Sequence, residues 1–143
     1  MRVVRDFESA DMDAVRAIWL DASLLAHPFV DPTFWHGQLV NMRERYIPGS
    51  HTRVIVHDHV CAGSSCVHGS MPAALFVAPA HQGNGLGALL VEGAKEGRDS
   101  LELAVYVQNS RAVRFYERQA FLASQRRTDP HTGEAEWVMR WER

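Results

Sequence analysis

Leu75-Phe76-Val77-Ala78-Pro79-Ala80-His81-Gln82-Gly83-Asn84-Gly85-Leu86-Gly87-Ala88-Leu89-Leu90 is the stretch on which the reading of this chain turns. A short apolar run ends at Pro79. Glycines follow at positions 83, 85 and 87, and an apolar pattern of helical period begins at Leu86. The order is strand, backbone-rich loop, helix start. The bare amides and positive dipole end of a helix start suit a phosphate, so the stretch predicts a phosphate-containing cofactor.

Two such cofactors are excluded by what the stretch lacks. A P-loop needs Gly-Lys-Ser or Gly-Lys-Thr, and Leu86-Gly87-Ala88 stands there instead. Gly83, Gly85 and Ala88 do satisfy the Gly-x-Gly-x-x-Ala form of a dinucleotide-binding turn. That fold also needs an acidic residue at the end of the next strand, about 20 residues on. Here the strand ends Val105-Tyr106-Val107-Gln108, without an acid.

Outward from the loop, the period of the apolar residues sorts the chain. Val3 to Phe7 reads as a first strand. Met12, Val15, Ile18, Trp19, Ala22 and Leu25 recur at helical spacing after a Ser9 or Asp11 cap. His27-Pro28 ends that helix, because a residue before proline disfavours helical backbone. A second helix after Asp31-Pro32 places Phe34, Trp35, Leu39, Met42 and Tyr46 on its apolar side and stops at Pro48-Gly49. Arg53 to His57 and Val60 to His68 read as strands around an Asp58-His59 turn, and Met71 to Val77 as a third. After the loop helix come a strand (Ser100 to Val107), a helix (Ser110 to Gln119, capped by Asn109) and two strands (Phe121 to Arg127, Glu136 to Trp141). The order predicts an α+β domain over residues 1–143, with a mixed sheet, rather than a wholly parallel one.

Composition sets the limits. The chain has 143 residues, 46% hydrophobic and 22% charged, with a net charge of -2. Such a balance does not suit a broad nucleic-acid surface. No run approaches the roughly 20 apolar residues of a membrane span, and Met1 to Asp6 lacks a signal-peptide core. The expectation is a cytoplasmic protein with no nucleic-acid or membrane partner. Cys61 and Cys66 lie five positions apart in one strand. Odd spacing predicts opposite faces and reduced thiols. The eight histidines, at 27, 36, 51, 57, 59, 68, 81 and 131, are scattered without ligand spacing, so no metal is expected.

Two blocks then narrow the donor. Gln82-Gly83-Asn84-Gly85-Leu86-Gly87 resembles the Gln/Arg-x-x-Gly-x-Gly signature of the GNAT (GCN5-related) acyl-CoA N-acyltransferases. Asn109-Ser110-Arg111-Ala112-Val113-Arg114-Phe115-Tyr116-Glu117-Arg118-Gln119-Ala120-Phe121 resembles the family's Asn-x-x-Ala-x-x-Phe-Tyr-x-x-x-Gly-Phe segment. The early stretch Ile18 to Val30, with Trp35, looks like small bacterial members. The resemblance implies the GNAT fold, a central mostly antiparallel sheet flanked by helices, and acetyl-CoA as donor. The acceptor it implies is a primary amine, either a protein lysine or a small molecule. Monomer and homodimer stay open.

The resemblance also implies roles. Gln82, Gly83, Asn84, Gly85, Leu86 and Gly87 would cradle the pyrophosphate. The pantetheine arm would lie along the strand of Phe76 and Val77, with the Val77 amide polarising the thioester carbonyl. Asn109 would touch the arm, with Ala112 and Phe115 beside the cofactor; Asn109 can equally serve as a cap. Tyr116 would protonate the departing thiolate, since a phenol is neutral at pH 7. His68, just before the cofactor strand, is the candidate general base, and an exposed turn histidine is the alternative. His27, Phe29, Trp35 and His36 lie where the family builds its acceptor pocket, and Phe29 and Trp35 can equally be core.

Two departures stand out. Asn84 occupies a position where relatives commonly carry Arg or Lys, so the phosphates either find a cation elsewhere, with Arg111 or Arg114 as the candidates, or bind more weakly. Ala120 replaces the glycine after the Phe-Tyr helix, which costs about 1 kcal/mol if the backbone there is left-handed. Both departures also suit a second reading, a non-catalytic acyl-CoA-binding or sensor module.

Overall fold

The structure, a computed structural model, describes residues 1–69 and 71–143, and at 71 and 72 the backbone. In chain order the elements are β1 (Arg2–Asp6), α1 (Met12–Ala26), α2 (Pro32–Gly37), α3 (Leu39–Asn41), β2 (His51–His57), β3 (Val60–His68), β4 (Met71–Val77), α4 (Leu86–Lys95), β5 (Ser100–Tyr106), α5 (Ser110–Arg118), β6 (Leu122–Thr128) and β7 (Ala135–Glu142). The seven strands form a sheet ordered β1-β2-β3-β4-β5-β7-β6. Every neighbouring pair is antiparallel except β4 and β5. Among the described residues no helix is long and apolar enough to cross a membrane.

The sheet carries helices on both faces. α1 packs Val15, Ile18 and Ala22 against Val54 and Phe76 on one face. α4 and α5 cover the other, where Val91, Ala94 and Tyr116 meet Leu101, Leu103, Phe121 and Met139. Trp137, Met139 and Trp141 all turn to that second face, as their alternation predicts. At the start of α1, Arg5 grips the Asp11 carboxylate with two hydrogen bonds of 2.8 and 2.9 Å, and Asp11 also accepts the Glu8 amide at 2.8 Å.

Two expectations need correction, each for a backbone reason. The helix after Pro32 does not run unbroken to Tyr46. It ends at Gly37, and Met42–Tyr46 is a π-helical turn in which the Ile47 amide reaches back to Met42 at 3.0 Å. The wider turn advances the buried face by one residue. Ile47 is therefore 2% exposed and Tyr46 51% exposed.

The two cysteines, expected on opposite faces, share one. Ile55 pairs with Gly63 and Val56 with Cys61, leaving Ala62 as the extra residue of a bulge. Cys61 then packs on the α1 face. On that same face the Cys66 sulfur lies 3.6 Å from the Thr52 hydroxyl, which donates to the Ile47 carbonyl at 3.1 Å. Both thiols are free, and burial pushes both up from the usual range.

Candidate functional site

The parallel seam between β4 and β5 is almost unmade. Among the described residues a single pairing joins them, Ala73 with Leu103, and beyond it the ladder does not continue. The backbone on the β4 side of this fork can be assigned from its ladder. Ala78 donates to the Ala62 carbonyl at 2.8 Å, so residues of that parity, Phe76 included, turn their N–H and C=O to β3. Leu75 and Val77 turn theirs to the fork. The Gln82 side chain confirms the direction by donating to the Val77 carbonyl at 3.0 Å. Phe76 presents its side chain to the α1 face and no edge amide to the fork.

The glycine loop closes one end of the fork. Gly83 and Gly85 have φ of 84° and 78°, left-handed values that a side chain would strain. Gly85 is the N-cap of α4 and supplies no side-chain cap, which leaves the first-turn amides directed outward. Gly87 has a different reason: a Cβ there would sit 3.0 Å from the Phe115 ring, so its absence lets α5 approach α4. Asn84 is exposed, Leu86 is buried in the core, and Arg111 and Arg114 are exposed on α5. Open helix amides beside an edge strand fit a diphosphate joined to a peptide-like arm.

The far lip of the fork is Asn109, at the start of α5. Its Oδ1 accepts the Ala112 amide at 3.2 Å, so the expected cap forms. Its amide nitrogen lies 3.5 Å from His27 Nε2. Since Oδ1 is engaged, the amide donates and Nε2 accepts.

The two faces of the fork differ in chemistry. On the α4–α5 face Tyr116 is buried between Phe115 (ring centroids 5.1 Å) and Phe121 (5.7 Å). It borders a small apolar cavity with Ala73, Leu75, Leu101 and Leu103. Among the described residues its hydroxyl has no hydrogen-bond partner, and burial pushes the phenol well above its usual range. It therefore keeps its proton at neutral pH.

On the α1–α2 face the side chains are aromatic. His27 stacks on Trp35 (4.9 Å, 25°) and stands edge-on to Phe29 (5.7 Å) and Tyr106 (5.1 Å). Burial lowers the His27 pKa to about 4, the Ser23 carbonyl opposing weakly, so the ring is neutral at pH 7. His27 Nδ1 and Trp35 Nε1 are buried without partners. The Tyr106 hydroxyl donates to Asp129 at 2.5 Å. Burial opposes ionisation of Asp129, yet the hydrogen bonds from Tyr106 and the His131 amide hold it below the usual carboxylate range.

The structure thus gathers Val77, the glycine loop, Asn109 and Tyr116 around one fork, with His27, Phe29 and Trp35 clustered behind Asn109. His36 and His68 are exposed. His68 ends β3 beside Gly69, and among the described residues it has no hydrogen bond or ring contact with Tyr116 or His27. Tyr106 and Asp129 carry no spacing signal; only Tyr106's place three residues before Asn109 hints at it. A cavity of about 250 Å3 towards the other end of α4 lies between Arg53, Glu96 and Arg98 and shares Ser65, Val67 and Ala94 with the cavity beside Tyr116. Its Arg53 is already bonded to the Gly93 carbonyl at 2.7 Å.

Known proteins resemble this chain in sequence and in fold. The sequence pattern of the acetyltransferase (GNAT) domain matches residues 48–121. The peptidyl-lysine N-acetyltransferase YiaC of Escherichia coli K12 is 27% identical over 140 residues, 97% of this chain and 96% of that protein. The solution structure of apo YjaB from Escherichia coli superposes with a TM-score of 0.85 at 24% identity, covering 99% of this chain and 97% of that one. The PaiA N-acetyltransferase of Thermoplasma acidophilum, solved with coenzyme A, gives 0.80 at 14% identity, covering 100% and 99%.

Proposed function

This chain belongs to the GNAT family of acetyl-CoA-dependent N-acetyltransferases, and on that premise we propose that residues 1–143 form one catalytic unit that acetylates the side-chain amine of protein lysines. The lysine acceptor draws support from the likeness to a peptidyl-lysine acetyltransferase over nearly the whole chain.

The observation that carries the reading is the fork itself. The single Ala73–Leu103 pairing among the described residues leaves the seam between two faces open to an added chain, with a protonated phenol on one face and a buried aromatic cluster on the other. Acetyl-CoA supplies an activated acetyl thioester. The first-turn amides of α4, with Gly83 and Gly85, hold its diphosphate. The edge groups of Leu75 and Val77 receive the arm as an added strand would. The Val77 N–H then faces the thioester carbonyl oxygen as negative charge develops there. Tyr116 donates its proton to the departing sulfur and recovers one from solvent.

The acceptor enters from the α1–α2 face. Its methylene stem suits Phe29, Trp35 and Tyr106, and its charge suits Asp129. The attacking nitrogen must first lose a proton. His27 is neutral, and its Nε2 can then accept a hydrogen bond from the amine in exchange for the one from the Asn109 amide, while the amine nitrogen's own lone pair meets the carbonyl carbon. The nitrogen–carbon bond forms and the carbon–sulfur bond breaks; the nitrogen's surplus proton passes to solvent, which returns to Tyr116 the proton given to sulfur.

The test is incubation with acetyl-CoA and a panel of lysine peptides, α-amino peptides and small polyamines, following free thiol and acceptor mass. Acetylation at lysine Nε is expected. Turnover confined to small amines overturns the acceptor class, and folded protein that turns over nothing on the panel overturns the catalytic reading.

A further inference from the structure

A diphosphate brings negative charge to a loop whose own residues, Gln82 to Gly87, are all uncharged. Arg111 and Arg114 stand exposed on α5 and make no hydrogen bond or ion pair to the loop among the described residues. A different cation is close. The Arg2 guanidinium approaches the loop from β1, its Nη1 3.6 Å from where a Cβ on Gly85 would be. Gly85 is the N-cap of α4, so this guanidinium stands at the positive end of the helix. Among the described residues it forms no hydrogen bond or ion pair. A cation left unpaired beside a helix N-terminus is electrostatically unfavourable unless an anion joins them.

The approach is built into the sheet. Arg2 pairs with His57 across the β1–β2 ladder, two residues from the Val4–Ile55 pair that packs under α4. Side chains two apart on a strand share a face, so Arg2 and His57 lie on the α4 face. The Asp58 amide donates to the Met1 carbonyl at 3.0 Å and fixes the end of β1. The His57 ring lies 5.9 Å from that of His81, which leads into the glycine loop, and His57 Nδ1 is buried without a partner. The charged groups nearby are the Met1 ammonium and Asp58, which pair with each other, and Asp58 lies 3.5 Å from His57 Nε2.

We infer that Arg2 is a donor-binding residue: its guanidinium, backed by His57 and His81, supplies from β1 the positive charge for the diphosphate of coenzyme A that the loop lacks at Asn84. The inference rests on the reading of the loop as the donor's phosphate site. It makes the first strand part of the cofactor site, remote in sequence from both signature blocks.

The test is calorimetric binding of coenzyme A, its 3′-dephospho form and pantetheine, which has no phosphates, to wild type, Arg2→Gln and the double variant Arg2→Gln/Asn84→Arg. For Arg2→Gln, the dissociation constant for coenzyme A is expected to rise about three- to tenfold, as for loss of one exposed charge-assisted contact. The same rise is expected with the 3′-dephospho form and none with pantetheine. Charge restored within the loop by the double variant should recover most of the loss, and the wild-type advantage should shrink with added salt. Unchanged affinity for coenzyme A overturns the inference. An equal loss for pantetheine does too, because it marks a structural role. A loss that vanishes with the 3′-dephospho form reassigns Arg2 to the other phosphate and overturns the diphosphate contact. If wild type binds no coenzyme A, the reading of the loop itself fails, an outcome distinct from the others.

Discussion

The ring of Phe115 fills the space that a side chain on Gly87 would need, 3.0 Å from its absent Cβ. One residue comes from each signature block, and the contact sets how closely α5 approaches the phosphate loop. Gly87→Ala should push the ring aside and spread the two helices at the loop. Coenzyme A affinity is expected to fall several-fold, with a stability loss of about 1–2 kcal/mol for overpacking. Calorimetry and thermal melts check this. Adding Phe115→Leu should restore part of both, because it removes the ring that clashes.

Tyr116 offers a cleaner separation of chemistry from binding. Its hydroxyl has no hydrogen-bond partner among the described residues, so Tyr116→Phe should leave the melting temperature almost unchanged. Coenzyme A affinity should stay within about twofold, while kcat falls on the order of 100-fold for loss of a general acid. Steady-state kinetics with a lysine peptide measure it, and unchanged turnover removes Tyr116 from the mechanism.

Ala120 is left-handed, with φ of 69°, at the end of α5. The expected strain is therefore present. Ala120→Gly should relieve it and stabilise the fold by up to about 1 kcal/mol, less whatever the unfolded chain gains in entropy. A rise of a few degrees in melting temperature is expected, with kcat/KM for both substrates unchanged. A lower melting temperature would contradict the strain.

His27 makes stability depend on pH. Its pKa is lowered from 6.5 to about 4 by burial. Below pH 6.5 the unfolded chain binds a proton that the folded chain refuses, so the fold loses stability as pH falls from about 6.5 to 4. Below that both states are protonated and the loss levels off. Allowing for partial exposure, the whole effect is of order 2 kcal/mol. His27→Phe keeps an aromatic ring in the stack and should flatten the urea-unfolding free energy over that interval. An unchanged slope would show that His27 is hydrated enough to titrate normally.

What the sequence revealed followed the range of its signals. The strand–loop–helix form of the glycine stretch, the Asn109 cap and the alternation of Trp137, Met139 and Trp141 are local, set by spacing along a short stretch, and the structure has each of them. The π turn before Ile47 and the bulge at Ala62 are single-residue insertions that reverse facing without altering composition, so the parity rule for Cys61 and Cys66 broke where nothing in the residues marks it. Tyr106 with Asp129, and Arg2 with Gly85, are pairs made by the sheet order. Arg2 reaches Gly85 only because β1 lies beside β2 under α4, a neighbourhood that no spacing along the chain encodes.

The lone Ala73–Leu103 pairing has a mechanical meaning as well. It makes the seven strands two leaves, β1 to β4 and β5 to β7, stitched at one point and bound together chiefly by the helices laid over them. The opening angle between the leaves is then governed by side-chain packing, such as Tyr116 and Phe121 against Val91 and Ala94, instead of by a rigid ladder. A volume change in that packing can alter how widely the leaves stand apart, and so what they grip, without touching a residue that meets either substrate.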